Sequence, residues 1–270
     1  MNKLIIIFTL FVSFNLWAND NKTVISTLLN EGKRAATFQQ YKKAETSYLK
    51  AVELNSAEAA YLLATHFVNG YGRGVNIDKA IYWYKKSSEL GYRRAYYELG
   101  VIYHKYKQNI EQAQKFFEKA VSLGDIDAYH DLAILHINKK EYNKALILLT
   151  HSKVENHAPS QYTLAQFYLF NIEVTKDVNK ALMLLNQATK RNYVPAIDQL
   201  GKIYASGQFT SKNLLQAEVL FEKNYRLAKK NGVDLAVVLL EQKKTLQAKE
   251  LLKIMANAGN ETARVMLKKL

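Results

Sequence analysis

The sequence predicts an all-α protein, an α-solenoid of about seven antiparallel helical hairpins. Three observations predict this fold. A motif around an alanine recurs through the chain, a second helical pattern precedes each copy of it, and only 2 of the 270 residues are Pro although 49% are hydrophobic. Such a composition is typical of a folded, helix-rich chain, and a period of this length indicates stacked repeats.

The recurring motif is seen in "DKAIYWYKKSSELG" around Ala80. A large residue follows each repeat alanine after four positions, which places the two on one face of a helix. Each motif therefore predicts one helix per repeat. The repeat alanines are Ala44, Ala80, Ala113, Ala145, Ala181, Ala217 and Ala248, spaced 31 to 36 residues apart. The large residues are Tyr48, Tyr84, Phe117, Leu149, Leu185, Phe221 and Leu252.

A second helical pattern with a small residue at one phase precedes each repeat alanine. A small residue lets two helices approach closely, and the large residue of the next helix fills the groove beside it. Pro159 and Pro195 each stand five residues before the Leu of this first helix, where a helix start tolerates a missing N–H. Each repeat is therefore predicted to be a hairpin. The small residues are Gly32, Ala64, Gly100, Ala133, Ala165, Gly201 and Ala236.

The two ends of the chain predict separate segments. Residues 1–18, "MNKLIIIFTLFVSFNLWA", have the layout of a cleavable signal peptide, and the alternative is an uncleaved membrane anchor. The apolar run from Leu4 to Trp17 is shorter than the ~20 residues that a spanning helix needs. We therefore expect an exported protein, periplasmic or secreted, that is not an integral membrane protein. Residues 19–260 are predicted to form the solenoid and 261–270 a C-terminal capping helix.

Composition narrows the chemistry further. The chain has no Cys, which excludes disulfides and thiolate metal sites. Lys and Arg outnumber Asp and Glu by 38 to 24, and cleavage after Ala18 would remove only Lys3 and leave 37 − 24 = +13. Because the basic pairs are dispersed along the chain, they indicate either a solvated basic surface on the helices or binding of an anionic partner.

With its repeats aligned on the repeat alanines, the chain resembles the tetratricopeptide repeat and its longer-looped relative, the Sel-one-like repeat. The segment "NGYGRGVNIDKAIYWYKKSSELGYRRA" carries the longer pattern, as do "VTKDVNKALMLL" and "LGKIYASGQFTSKNLLQA". The repeats around Ala44, Ala113, Ala145 and Ala248 look more like ordinary tetratricopeptide repeats. The resemblance implies a right-handed solenoid that acts as a scaffold for other proteins.

Motifs for catalysis are weak. Gly70, Gly72 and Gly74 alternate as in a phosphate loop, but a helical pattern precedes them and no strand pattern exists, so we interpret them as a hairpin loop. The six His residues form no i, i+4 pair, and no nucleophile motif is present. We predict no enzyme activity, no cofactor, no metal site and no nucleic-acid partner.

The first helix of each hairpin is expected to line the concave face of the solenoid, as the resemblance implies. Its Tyr residues, one repeat apart, suit a platform for a peptide or sugar, and the alternative is that they pack between repeats. The first hypothesis is a scaffold that binds a protein or peptide of the cell envelope. The second is a binder of an anionic polymer such as peptidoglycan, lipopolysaccharide or an acidic exopolysaccharide. The candidate binding residues are Tyr61, Thr65, Arg94, Tyr97, His104, His130, Tyr162, Gln166 and Lys202.

Overall fold

The computed structural model describes residues 21–151, 155–228 and 232–270, and every regular element in these ranges is an α-helix. The predicted all-α repeat fold is confirmed, whereas the predicted signal peptide lies outside the described residues. None of the described helices is both long and apolar enough to cross a membrane. The helices are α1 (residues 21–37), α2 (Tyr41–Glu53), α3 (Ala57–Asn69), α4 (Ile77–Glu89), α5 (Arg94–Lys105), α6 (Ile110–Ser122), α7 (Ile126–Asn138), α8 (Tyr142–Thr150), α9 (Ala158–Phe170), α10 (Val178–Lys190), α11 (Val194–Ser206), α12 (Leu214–Ala228), α13 (Gly232–Glu241), α14 (Thr245–Asn257) and α15 (Glu261–Leu267).

The helices belong to two compact units. The N-terminal unit ends at Leu132 and the C-terminal unit is Ala133–Leu270, with the boundary inside α7. In the N-terminal unit each helix from α2 to α5 packs on the next one in the chain, and in the C-terminal unit the same holds from α8 to α14. Odd-numbered helices up to α13 carry the small residue of a repeat and are termed inner helices. Even-numbered helices carry the repeat alanine and are termed outer helices.

The repeat alanines occupy the tightest positions of the fold, because all seven are 0% exposed. The large residue four positions later is also buried in every repeat, with at most 3% of its surface exposed. The outer helix of each hairpin therefore packs into the core through these two positions, as the sequence predicts. The core is divided into clusters that each span neighbouring helices, such as the cluster of Ala64, Ala80, Tyr84 and Leu99.

Glycine and an aromatic ring face each other in three hairpins. A Cβ atom on Gly100 would lie 2.5 Å from a ring carbon of Phe117, and one on Gly201 would lie 2.7 Å from the ring of Phe221. Gly32 contacts the ring of Tyr48 in the same way. Real Cβ atoms do not approach ring carbons so closely, so a side chain here would displace a buried ring. Hence these glycines are needed for close helix packing.

The long hairpin loops share one construction. Each begins with a residue in the left-handed conformation that ends the inner helix, at Gly70, Asn171 and Gly207. Each ends six residues later with an Asx side chain that accepts a hydrogen bond from the backbone N–H three residues on. These N-cap residues are Asn76, Asp177 and Asn213.

The glycine triplet is part of the first long loop. Gly70 and Gly72 have φ values of 67° and 69°, as the loop interpretation requires, whereas Gly74 does not adopt positive φ. The loop folds back on α2, where the ring of Tyr71 stacks on Tyr41 at 5.2 Å between centroids. A helix on each side and packing against a third helix give this loop a structural role.

Helix starts agree with the register predicted from the prolines. Pro159 and Pro195 lie in the first turns of α9 and α11. At the C-terminal end, α15 begins at the N-cap Asn260 and packs on α14, where Ala263 is fully buried in a cluster with Leu252. The role of this segment as a cap stays a prediction.

Candidate functional site

The candidate site of the N-terminal unit is a network on the inner helices α3, α5 and α7. It joins tyrosines of one repeat to carboxylates of the next, and Arg94 lies at its centre. We term it the tyrosine–carboxylate network, and its members are Tyr61, Arg94, Tyr97, Glu98, Asp125, Asp127, His130 and Asp131.

Tyr61 links the second repeat to the third. Its hydroxyl donates a hydrogen bond of 3.2 Å to Oε1 of Glu98, and its ring lies 4.8 Å from that of Tyr92 and 5.4 Å from that of Tyr84. Burial, followed by the negative charge of Glu98, raises the pKa of Tyr61 to about 12. The hydroxyl therefore stays protonated at neutral pH and remains a hydrogen-bond donor.

Tyr97 repeats this arrangement one repeat later. Its hydroxyl donates to Oδ2 of Asp131 at 3.0 Å, and burial together with the charge of Asp131 raises the pKa of Tyr97. The Arg94 guanidinium lies over the Tyr97 ring, 4.0 Å from its centroid, in a cation–π contact. On its inner side the ring packs against Phe117. Tyr97 thus connects the surface of the inner helices to the hairpin core.

Arg94 holds the carboxylates together. Its NH1 group donates to Oδ2 of Asp127 at 2.7 Å and to both oxygens of Asp125 at 3.0 and 3.1 Å. Asp125 also caps α7 by accepting a hydrogen bond from the N–H of Ala128. Burial alone would lower the pKa of Arg94, but the bonds and charges of the two aspartates outweigh it and raise the pKa. The guanidinium is therefore permanently charged, and it pairs with three carboxylates, those of Glu98, Asp125 and Asp127.

Glu98 is the least favourable charge in the network. Burial raises its pKa more than Arg94 and the Tyr61 hydroxyl lower it. Folding therefore favours the protonated carboxyl. The contribution of Glu98 to the stability of the fold is fully present at pH values below its ordinary pKa of 4.5. It is lost as the pH rises through the raised pKa of the folded state.

We expect Glu98→Gln to stabilise the protein at about pH 7 and to have little effect at about pH 4, because Gln resembles the protonated acid. Urea unfolding at both pH values measures the difference. Glu89→Gln, on the exposed side of α4, is the control and should show no such pH dependence. An equal effect of Glu98→Gln at both pH values would contradict the conclusion that the pKa of Glu98 is raised in the folded protein.

The other predicted residues of this unit lie in and around the network. Thr65 bonds the carbonyl of Tyr61 and lies 3.2 Å from the hydroxyl of Tyr84. Nδ1 of His130 is 3.1 Å from Oδ1 of Asp131, whereas His104 is exposed near the end of α5. The structure thus brings Tyr61, Thr65, Arg94, Tyr97 and His130 together, with His104 at the periphery. The hydrogen bonds of the tyrosines run between repeats, so both interpretations of the tyrosine row have a structural basis.

The C-terminal unit contains the other three candidate binding residues, Tyr162, Gln166 and Lys202. The ring of Tyr162 packs on Tyr193, and Gln166 reaches the carbonyl of Tyr162 at 3.5 Å. Lys202 forms an ion pair of 2.9 Å with Asp198, and burial raises the pKa of Asp234 on the next inner helix. A cleft between α11 and α13 is lined by Lys202, Asp234, Ile203, Val237 and Val238, among others. It offers an apolar floor with charged groups at its edge.

The acidic residues of the network were not predicted from the sequence. Glu98 and Asp131 directly follow Tyr97 and His130 in the chain, so the available signal was an acid one position beyond two of the predicted contact residues. Asp125 and Asp127 stand before and in the first turn of α7, where acids commonly cap helices. The net charge of +14 gives no indication that three carboxylates pair with one guanidinium.

Among the described residues, no group of three or more His, Asp or Glu side chains is placed to hold a metal ion. The arrangement instead offers partly exposed aromatic rings, hydrogen-bond acceptors and a local excess of negative charge. These features suit recognition of another molecule.

Comparisons with known proteins agree with this architecture. The Sel1 repeat model matches residues 57–92, 158–193 and 194–232, and a tetratricopeptide repeat model matches residues 94–123. These are the three long-looped repeats and one of the short ones that the sequence predicts. No curated protein matches the chain.

Solved structures share the fold. A protective antigen present in uropathogenic Escherichia coli strains, which displays an SLR fold, has a TM-score of 0.68 and 23% identity over 85% of this chain and 52% of the antigen. This chain thus spans about half the length of that antigen. A Sel1 repeat protein from Oxalobacter formigenes has a TM-score of 0.63 and 24% identity over 68% of this chain and 76% of its own. An immunity protein from Pseudomonas aeruginosa has a TM-score of 0.54 and 17% identity, with 74% and 82% covered. The helical hairpins, their loops and these matches lead to one conclusion: the chain is a Sel1-like and tetratricopeptide repeat protein.

Proposed function

We propose that this protein is a non-catalytic scaffold of the bacterial periplasm or cell envelope, and that its inner helices bind a segment of a partner protein. The repeat fold supports the general role, since such folds typically serve protein–protein interaction. The apolar segment from Leu4 to Trp17 supports export. The tyrosine–carboxylate network carries the proposal, because it joins aromatic platforms to charged acceptors on successive inner helices.

The charge of the network favours a basic partner segment. The network contains the carboxylates of Glu98, Asp125, Asp127 and Asp131 and a single guanidinium, which gives it a formal charge of 1 − 4 = −3 when His130 is not counted. The side chains of Asp127 and Asp131 are 43% and 35% exposed, so they are accessible to a partner. Lys or Arg side chains of the partner would contact these carboxylates, and its apolar groups would pack on the tyrosine rings. This local charge disfavours an anionic polymer on the same face.

Panning a random peptide library on the purified protein tests the proposal. We expect enrichment of extended peptides that combine Lys or Arg with aromatic or aliphatic residues. Asp127→Asn with Asp131→Asn should weaken the selected peptides about fivefold or more and reduce the salt dependence of binding. Tyr61→Ala with Tyr97→Ala should abolish capture while circular dichroism shows unchanged helicity.

The control is Tyr82→Ala with Tyr106→Ala, which removes two exposed tyrosines outside the network. This variant should bind as the unmodified protein does. Enrichment of acidic peptides, or unchanged binding by the Tyr61 and Tyr97 variant, would contradict the proposal.

A further inference from the structure

Exposed apolar residues recur at one position of three outer helices in the C-terminal unit, whereas α14 carries Glu250 there. Ile147 on α8, Met183 on α10 and Val219 on α12 each stand two residues after the repeat alanine, and they are 69%, 52% and 57% exposed. The repeat alanines that precede them, Ala145, Ala181 and Ala217, are all buried. Because the position is fixed within the repeat, the three side chains occupy equivalent places on neighbouring outer helices.

Three further residues extend this row at helical spacing. Leu215 is one turn before Val219 on α12, and Leu246 and Ile254 lie two residues before and six residues after the alanine of α14. They are 66%, 81% and 59% exposed. Positions four apart share one face of a helix. We term this set the apolar stripe, and its members are Ile147, Met183, Leu215, Val219, Leu246 and Ile254.

The N-terminal unit has no aliphatic side chain at the position of Ile147 on its outer helices. Its outer helices carry Thr46, Tyr82 and Lys115 at the position of Ile147. The stripe is therefore a property of one unit and does not follow from the repeat fold itself. Large exposed apolar patches on soluble proteins mark sites of interaction.

The surroundings of the stripe are basic. Exposed cations on the same helices are Lys144, Lys180, Lys190, Arg226 and Lys253, against the exposed acids Glu222 and Glu250. Residues 133–270 contain 21 Lys and Arg and 11 Asp and Glu, a formal charge of 21 − 11 = +10, whereas residues 21–132 have 16 − 12 = +4. The strong positive charge is thus concentrated in the unit that exposes apolar side chains.

We propose that the outer helices of the C-terminal unit dock on the surface of a bilayer that contains anionic lipids. Apolar side chains on a helix face enter the boundary between headgroups and acyl chains, and lysines around them contact anionic headgroups. A second copy of the chain fits this surface less well, because two units of charge +10 repel each other. The docking surface and the tyrosine–carboxylate network have no residue in common.

Co-sedimentation with lipid vesicles tests this inference. The purified full chain is mixed with vesicles of phosphatidylcholine alone or with about a third of phosphatidylglycerol. We expect binding to the anionic vesicles that falls at high salt. Ile147→Ser, Met183→Ser and Val219→Ser combined should lower the partition coefficient by roughly tenfold or more. Because all variants share residues 1–20, any binding by that segment contributes equally.

The matched control combines Asn143→Ser, Asn179→Ser and Gln216→Ser, which alter exposed polar positions on the same three helices and should leave binding unchanged. Equal binding to neutral and anionic vesicles, or no loss in the apolar variant, would overturn the inference. Two other results would also overturn it. One is self-association in sedimentation velocity that the apolar variant abolishes, and the other is binding to isolated peptidoglycan in place of vesicles.

Discussion

Replacing Gly100 with Ala is expected to lower the free energy of unfolding by about 1–3 kcal/mol. The added Cβ would lie 2.5 and 2.6 Å from two ring carbons of Phe117, whose side chain is only 1% exposed. The ring cannot move outward without disturbing its neighbours, which include Tyr97 at 5.8 Å between ring centroids. Since Ala has the higher helix propensity by about 1 kcal/mol, the observed loss understates the steric cost. Urea unfolding measures it.

A smaller partner should relieve the strain. Phe117→Leu alone should destabilise by about 1 kcal/mol, but Gly100→Ala with Phe117→Leu should be less destabilised than the sum of the two single changes. Gly74→Ala is the control, because a Cβ at that position meets nothing within 4 Å. Additive effects in the double variant would show that the glycine and the ring do not oppose each other.

Replacing Arg94 with Met should give the second large loss of stability. The change removes the cation–π contact with Tyr97 and leaves the carboxylates of Glu98, Asp125 and Asp127 without their shared cation. Loss of one partner from a fully buried pair costs roughly 3–5 kcal/mol. Because 36% of the Arg94 side chain is exposed, solvent reduces the cost, and we expect about 1–2 kcal/mol at neutral pH.

The neighbouring Arg93 provides a control with the same change in net charge. It contacts the carbonyl of Leu123 at 3.4 Å on the exposed surface, so Arg93→Met should change stability by less than about 0.5 kcal/mol. Arg94→Lys should fall between wild type and Met, because an ammonium group restores charge but not the planar contacts of guanidinium. Equal losses for Arg93→Met and Arg94→Met would mean that total charge, and not the network, matters.

Much of the fold was predictable because the repeat forces the same packing to recur. The repeat alanines, the large residues four positions on and the two prolines all have the predicted places. The loop interpretation of the glycine triplet is also confirmed, although Gly74 lacks the positive φ of Gly70 and Gly72. These features depend on local helical spacing, which a sequence displays directly.

The network was less predictable because it depends on contacts between repeats. Tyr61 and Tyr97 were found from their phase, but their partners Glu98 and Asp131 lie 37 and 34 residues away. The acids that follow Tyr97 and His130 do not recur with the repeat, since the corresponding positions of later repeats carry Thr163 and Gln199. The boundary between the two compact units inside α7 has no sequence signal that we can identify.

The pairing of glycine with an aromatic ring bears on how such a chain grows by duplication. The inner helices with Gly32, Gly100 and Gly201 face Tyr48, Phe117 and Phe221, whereas those with Ala133, Ala165 and Ala236 belong to hairpins with Leu149, Leu185 and Leu252. The hairpin of Ala64 departs from this pairing, and there the hydroxyl of Tyr84 is tethered to Thr65. A recombination that exchanged single helices would combine Ala with Phe, which overpacks the contact between the two helices, or Gly with Leu, which leaves a cavity there. The unit of inheritance compatible with this packing is the whole hairpin, exchanged with both of its helices.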